Sequence, residues 1–293
     1  MHEGSKRAIF AAFLANLGIA IAKLAAFIIT GSASMVAEAV HSFADTGNQG
    51  LLFLGGHRAN KPADTEHPFG YGAERFFWAF VVALVLFSLG AMFSLYEGIG
   101  KLLDPHELES PAVAFAVLGV AVVLESLSLR TAQREARPHR GTGSWWTFIK
   151  QTKNPELPVV LLEDVGALCG LALATIGLGL AVITGDERYD AIGSIAIGLL
   201  LGVIAIVLAV EMKSLLIGES AGESVDDAVR SALLADPGVR HVIHLRTLQL
   251  GPEEVLVAAK VDIDAAEVRI RTAVPTARLV YIEPDLYRTV PQV

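Results

Sequence analysis

The feature that most constrains the fold of this chain is a series of apolar runs, each long enough to cross a membrane. A helix of roughly 20 residues spans a hydrocarbon core about 30 Å thick. The 293-residue chain is 53% hydrophobic and only 18% charged, which favours a polytopic membrane protein over a soluble one. The apolar runs predict six transmembrane helices, at 8–30, 34–56, 75–100, 111–131, 157–183 and 189–216.

After Glu219 the composition changes to that of a small soluble domain. We therefore divide the chain into a transmembrane transport domain, 1–217, and a C-terminal α+β domain, 218–293. A core this small is stabilised by dimerisation, so we expect a homodimer. Local patterns predict an α-β-β-α-β order, with helices at 223–235 and 265–274 and strands at 240–250, 254–263 and 279–283.

Lysine and arginine are distributed unevenly between the two sides of the predicted membrane domain. The positive side should face the cytoplasm, so both termini are expected there, in an integral protein of a bacterial cytoplasmic (inner) membrane. Only Lys101 and Arg188 flank the apolar runs on the opposite side. The connection between the fourth and fifth runs is the most basic segment, with Arg130, Arg134, Arg137, Arg140, Lys150 and Lys153.

Net charge argues against nucleic acid as a partner. The chain carries a formal charge of −8 at pH 7, and no basic segment alternates with aromatic residues in the way that phosphate-binding surfaces require. The partners that composition favours are the lipid bilayer and cations.

The second apolar run contains a histidine and a carboxylate four residues apart, His41 and Asp45. On a helix these two side chains share a face, and together they offer half of a tetrahedral site for a divalent metal such as zinc. Glu38 and Gln49 extend the polar stripe along the same helix. Ionisable groups inside a membrane are costly and indicate function. The alternative is a pair that only joins neighbouring helices.

The fifth run contains adjacent acids, Glu163 and Asp164. Their side chains point about 100° apart on a helix, so only one should face a given site. Asp164 is the expected partner of the His41–Asp45 pair. Gly166 and Gly170 form a small-xxx-small face, which permits close helix approach.

Other polar residues receive structural interpretations. Lys23, in the first run, needs a polar partner or an interface. Glu125, in the fourth, is expected to be interfacial or paired because the predicted helix ends soon after it. In the loop 61–72, His67 with Asp64 and Glu66 either binds a second metal or forms an exposed turn-rich segment.

These motifs resemble the cation diffusion facilitator family of divalent-metal/proton antiporters, especially the branch that includes mitochondrial zinc exporters. The resemblance implies six transmembrane helices, a cytoplasmic metallochaperone-like domain and a homodimer. It is carried by Ser34-Met-Val-Ala-Glu-Ala-Val-His41-Ser-Phe-Ala-Asp45-Thr-Gly-Asn48, His67-Pro-Phe-Gly-Tyr-Gly-Ala-Glu-Arg75, Asp164-Val-Gly-Ala and Tyr281-Ile-Glu-Pro-Asp285.

One departure from that family concerns the metal ligands. Many zinc-transporting members have a second histidine four residues before the helix-five aspartate, where this chain has Val160. The candidate ligands are therefore His41, Asp45 and Asp164. A fourth donor is expected from Glu163 if helix five is locally distorted, from Gln49 or Glu38, or from water.

The expected function is export of a divalent transition metal from the cytoplasm in exchange for protons, and not an enzymatic reaction. Zn²⁺ is the favoured substrate, with Mn²⁺, Fe²⁺, Co²⁺ and Ni²⁺ as alternatives. A membrane-embedded metalloenzyme is a rival interpretation, and it requires a further histidine or general base at the same depth. A metal-sensing dimeric scaffold is another, and it requires ligand clusters after residue 219.

Overall fold

The computed structural model of the chain describes residues 3–105, 111–261 and 266–284. The helical part consists of six segments of 27 to 30 residues and one short helix. The elements are α1 (Glu3–Thr30), α2 (Ala33–Ala59), α3 (Glu74–Val81), a π-helix (Val82–Phe87), α4 (Ser88–Leu103), α5 (Pro111–Arg140), α6 (Trp145–Gln151), α7 (Glu156–Thr184), α8 (Arg188–Ile217), α9 (Glu223–Leu234), β1 (Val242–Gly251), β2 (Glu254–Val261), α10 (Ala266–Ala273) and β3 (Ala277–Pro284).

Four of the helical segments are long and apolar enough to cross a membrane, within the part of the chain that the structure describes. They are Glu74–Leu103, Pro111–Arg140, Glu156–Thr184 and Arg188–Ile217. In α1 the side chains that the structure describes give an apolar stretch at Asn16–Thr30, and α2 carries the polar stripe and is not among these four segments. The six-span arrangement therefore stays a prediction.

The turn between α1 and α2 has the tight geometry that its sequence predicts. Gly31 adopts a left-handed conformation with φ 62°, and its N–H donates to the carbonyl of Phe27. Glycine tolerates this conformation without strain and commonly ends a helix. Ser32 accepts a hydrogen bond from Met35 N–H at 3.3 Å, which caps the start of α2. The two helices are therefore antiparallel neighbours.

A buried polar network fastens this turn to two other helices. The ammonium of Lys101 on α4 donates to the carbonyl of Gly31 at 2.7 Å and lies 3.4 Å from the carboxylate of Asp190 on α8. The Ser32 hydroxyl donates to the same carboxylate at 2.9 Å. We call these four residues the turn network. It joins α1, α2, α4 and α8 at one end.

Two helices differ from their predicted form. α5 continues to Arg140 rather than ending near 131, because its arginine-rich end remains helical beyond the apolar run. The guanidinium of Arg140 then stacks 4.4 Å above the ring of Trp145. The other is the third predicted helix, in which a π-helix at Val82–Phe87 separates α3 from α4. The fifth helix, α7, is a regular α-helix, so it lacks the local distortion that would turn Glu163 inward.

The C-terminal sheet confirms the predicted α-β-β-α-β order. β1 pairs with β2 antiparallel and β2 pairs with β3 parallel, in the order β1-β2-β3. The parallel connection passes through α10, as a crossover requires. On β2 every second side chain is buried, and these residues pack against Val229 and Leu233 of α9 and Ile270 of α10.

The described residues group into two compact units. One lies within 1–54, 78–152 and 156–211, and the other within 55–77, 153–155 and 212–293. The second unit thus includes the loop that follows α2 as well as the sheet. The division into domains 1–217 and 218–293 stays a prediction.

Inside the second unit, the loop at 61–72 packs closely on the β1–β2 hairpin. A Cβ atom added to Gly72 would lie 2.8 Å from the carbonyl oxygen of Leu250 and 3.0 Å from the Cα of Gly251. Because the obstructing atoms belong to the backbone and cannot swing aside, only glycine fits at this position. Close approach between the backbones of the loop and the hairpin therefore explains the glycines at 72 and 251.

Candidate metal-binding site

One face of α2 is lined by buried polar side chains. Glu38, Ser42, Asp45 and Asn48 succeed one another at intervals of three and four residues, which places them on one side of the helix. All four are almost completely shielded from solvent. His41 lies on the same helix, but its side chain falls outside the described residues. Of the predicted polar stripe, Glu38 and Asp45 are buried and Gln49 is partly buried, while Ser42 and Asn48 complete the buried surface.

Lys23 from α1 projects into this surface. Its ammonium donates to the Glu38 carboxylate at 2.9 Å and to the Ser42 hydroxyl at 2.8 Å, and its side chain is fully buried. The prediction that Lys23 needs a polar partner is confirmed. The short α1–α2 turn makes the contact possible because it brings the two antiparallel helices side by side.

Both acids of α7 are buried. Asp164 accepts a hydrogen bond at 2.9 Å from the hydroxyl of Ser128 on α5. Glu163 lies beside Asn48 and within electrostatic range of Asp45 and Asp164. The sequence-based geometry assigned the α2 pair to Asp164 alone. In the structure Glu163 lies near Asn48 and Asp45 of α2, and Asp164 contacts α5 while remaining an electrostatic neighbour of Asp45. The choice of Asp164 as the partner of the α2 pair stays a prediction.

A fifth carboxylate was missed by the sequence interpretation. Glu125 on α5 is buried and lies within electrostatic range of Asp45, Lys23 and Glu38. The apolar run stops at 131 and so predicts a position near a helix end, but α5 continues for about two more turns. Glu125 precedes Ser128 by three residues, and this spacing is the signal that would have placed both on one face.

These groups form a strongly anionic cluster inside apolar helices. Glu38, Asp45, Glu125, Glu163 and Asp164 supply five carboxyl groups, and Lys23 is the cation that accompanies them among the described residues. Buried carboxylates are stable only when they are paired, protonated or bound to a cation. The arrangement is therefore suited to holding protons and a metal ion in alternation.

Close packing between α7 and α2 aligns the two halves of the cluster. A Cβ atom on Gly170 would collide with the carboxylate of Glu38. One added to Gly166 would lie 2.6 Å from the side chain of Ile204 on α8. The predicted role of the two glycines in close helix approach is confirmed, although they face different helices.

Among the residues that the structure describes, no three His, Cys, Asp or Glu side chains converge tightly enough to hold a metal ion. The predicted set of His41, Asp45 and Asp164, with Glu163 as a further candidate, includes the side chain of His41, which lies outside the described residues. The ligand assignment therefore stays a prediction.

In the loop that contains His67, the carboxylate of Asp64 stabilises the fold of the loop itself. Asp64 accepts hydrogen bonds from the backbone N–H groups of His67 at 2.7 Å and Glu66 at 3.0 Å, and from the Tyr71 hydroxyl at 2.7 Å. The bond from His67, followed by that from Tyr71, lowers the pKa of Asp64 below its usual range. Because both carboxylate oxygens are occupied, the geometry favours a structured turn over a second metal site.

Comparison with known proteins places the chain in a family. Residues 9–217 match the cation efflux transmembrane domain. The chain is 36% identical over 245 residues to the mitochondrial proton-coupled zinc antiporter SLC30A9 of Mus musculus, a stretch that covers 83% of this chain and 43% of that protein. Thus the chain spans less than half the length of this relative.

Two further relatives come from a plant and a bacterium. Metal tolerance protein C4 of Arabidopsis thaliana is 30% identical over 262 residues, covering 89% of this chain and 57% of that protein. The cation-efflux pump FieF of Cronobacter sakazakii is 30% identical over 253 residues, covering 84% of this chain and 77% of that protein. None of these names describes an enzyme. The resemblance found in the motifs is confirmed, and this integral membrane protein belongs to the cation efflux family.

Proposed function

We propose that this protein is a secondary transporter that exports a divalent transition metal, preferably Zn²⁺, from the cytoplasm in exchange for protons. The observation that carries the proposal is the cluster of buried carboxylates contributed by α2, α5 and α7 within a cation efflux domain. The name of its relative SLC30A9, a proton-coupled zinc antiporter, supports both the metal and the coupling ion.

The proposed site consists of His41, Asp45 and Asp164, with Glu163 close by. Imidazole and carboxylate ligands bind metal only when they are deprotonated, so arrival of the metal releases protons and arrival of protons releases the metal. If the site opens to one side of the membrane at a time, this competition produces exchange. One imidazole among several carboxylates is a harder ligand set, in the sense of Lewis acids and bases, than a set with two imidazoles. Such a set also accepts Mn²⁺ and Fe²⁺, which we propose as weaker alternative substrates.

The proposed architecture has six spans, a cytoplasmic metallochaperone-like domain at 218–293 and two chains per molecule. The turn at Gly31 supports a paired crossing by α1 and α2, in addition to the four apolar helices. We place the protein in a bacterial cytoplasmic membrane, a location consistent with its coverage of 77% of the bacterial pump FieF.

The proposal is tested by measuring proton movement during metal transport. Purified protein in sealed vesicles, with a pH-sensitive dye and a Zn²⁺-sensitive dye inside, should show proton efflux whenever Zn²⁺ enters. The same vesicles exposed to Mn²⁺, Fe²⁺, Co²⁺ and Ni²⁺ rank the substrates. Zn²⁺ movement without proton movement would contradict antiport, and tight Zn²⁺ binding without any movement would favour the sensing scaffold.

The direction of transport depends on orientation, which can be measured separately. In a Cys169→Ala background, a cysteine added after Val293 should react with a membrane-impermeant maleimide in inside-out vesicles and not in intact cells. Asp186→Cys, in the exposed turn between α7 and α8, should show the opposite pattern. If the cysteine after Val293 reacts in intact cells, the protein is inverted and imports its substrate.

A further inference from the structure

We infer that the side-chain amide of Asn48 is a direct ligand of the transported cation and supplies the donor that Val160 cannot. This inference rests on the proposed function, because it concerns the composition of the same site. It assigns a role to a residue that the spacing of His41 and Asp45 did not single out.

The first observation is the burial of Asn48 without well-formed hydrogen bonds. Its side chain is 0% exposed and interacts with the Glu163 carboxylate, but within the described part of the chain neither its amide nitrogen nor its carbonyl oxygen has a partner at standard hydrogen-bonding distance and angle. Buried polar groups are nearly always paired, and an orphaned amide in an apolar helix indicates a bound ligand or another functional need.

The second observation is the alignment of α2 with α7. Gly170 packs on Glu38, and Glu163 lies beside Asp45 and Asn48, so residue numbers increase in opposite directions along the two helices. Both helices rise by the same 1.5 Å per residue. Asp45 follows Glu38 by seven residues on α2, and Glu163 precedes Gly170 by seven residues on α7. Because Gly170 packs on Glu38, Asp45 and Glu163 lie at the same height along the two antiparallel helices.

The same alignment matches Asn48 with Val160. Asn48 follows Asp45 by three residues, and Val160 precedes Glu163 by three residues. Because the helices are antiparallel, both steps lead in the same direction, so Asn48 and Val160 lie at the same height. Val160 offers no donor atom, and it packs against the apolar cluster of Ala132, Ala136 and Phe148. Asn48 therefore presents an oxygen at the height where α7 has no ligand.

The third observation concerns the neighbouring carboxylate. Both oxygens of Glu163 are buried without well-formed hydrogen bonds among the residues that the structure describes, although Asn48 lies beside them. Amide and carboxylate oxygens facing one space form a hard donor set. A site with these oxygen ligands binds Mn²⁺ better than a site with a second imidazole in their place. It therefore discriminates less strongly in favour of Zn²⁺.

The test compares Asn48→Ala, Asn48→His and Asn48→Asp with Thr46→Val, measured on full-length protein in detergent. Thr46 is buried on the same helix, and its hydroxyl donates to the carbonyl of Ser42 within that helix, so its replacement is a matched control. Calorimetry at fixed pH gives Kd for Zn²⁺ and for Mn²⁺. The absorption spectrum of the Co²⁺-loaded protein reports the ligands independently of transport.

Asn48→Ala should weaken Zn²⁺ binding by more than about 100-fold, beyond the roughly 10- to 100-fold loss typical of residues that only support a ligand, whereas Thr46→Val should bind as the parent does. Asn48→His should raise the ratio of Zn²⁺ to Mn²⁺ affinity and intensify the Co²⁺ bands. Asn48→Asp should lower that ratio. If Asn48→Ala does not fold, the histidine and aspartate variants decide, and an unchanged metal ratio in both would overturn the inference.

Failure of this inference can be distinguished from failure of the proposed function. A parent protein that exchanges Zn²⁺ for protons while all Asn48 variants keep parental affinities and spectra refutes only the role of Asn48. A parent protein that neither binds nor moves a divalent metal refutes both.

Discussion

Replacing Asp45 or Asp164 with asparagine abolishes metal-driven proton flux and leaves the protein folded. Each change removes a charged ligand from the proposed site but preserves side-chain shape, and the amide oxygen introduced by Asp164→Asn can still accept the hydrogen bond from Ser128. We expect metal affinity to fall by more than about 100-fold, beyond the effect typical of residues that only support a ligand. Calorimetry and the vesicle assay measure the loss, and size-exclusion chromatography checks folding.

A matched change on the same helix separates the site from general damage to α7. Cys169 is exposed on that helix, and Cys169→Ala removes its thiol without touching the acids. This variant should bind and transport as the parent protein does. Parental proton flux in Asp45→Asn or Asp164→Asn would show that the substrate path lies elsewhere in the domain.

Breaking the Lys23–Glu38 pair from one side should strongly destabilise the transmembrane domain. Lys23→Met leaves the Glu38 carboxylate buried without its ammonium, and loss of one partner of a buried pair typically costs about 3–5 kcal/mol. Both side chains are fully buried at 2.9 Å, so solvent offers no compensation. Chemical or thermal unfolding in detergent measures the free energy of unfolding directly.

The double variant Lys23→Met/Glu38→Met provides the control for this prediction. Removing both charges eliminates the unpaired carboxylate, so much of the lost stability should return. A double variant no more stable than Lys23→Met would show that the lysine stem, and not its charge, matters for packing. A Lys23→Met protein as stable as the parent would mean that protons readily neutralise Glu38.

The apolar runs predicted the number and approximate position of the long helices well, because the length of such a run is set by the thickness of the bilayer. The ends of the helices were less predictable. α5 reaches Arg140 because helical hydrogen bonds continue wherever residues permit them, and an apolar run records only the part that lipid would cover. Because the predicted helix ends at 131, the sequence places Glu125 near a helix end, whereas it lies at the middle of α5.

The site was predictable as a set of residue types and less so as an arrangement. The position of Asp45 on the polar face of α2 follows from helical periodicity, and the cost of carboxylates in a membrane segment indicates that α7 contributes to the same site. Which of Glu163 and Asp164 faces α2 depends on the rotation of α7, and Gly170 fixes that rotation by packing on Glu38. Helical spacing places Asn48 on the same face of α2 as Asp45, but its lack of well-formed hydrogen bonds becomes visible only when the surrounding helices are in place.

The turn network has a mechanical consequence. Lys101 and Asp190 are buried, and together with Gly31 and Ser32 they tie α1, α2, α4 and α8 at one end of these helices. Helices joined at one end behave as levers with a common fulcrum, so their separation grows with distance from it. If these helices rotated by a few degrees about the turn network, their spacing there would hardly change. At the opposite end, about 40 Å away, the spacing between the helices would increase by several ångströms. The turn network therefore predicts that these four helices move less at its end than at the opposite end.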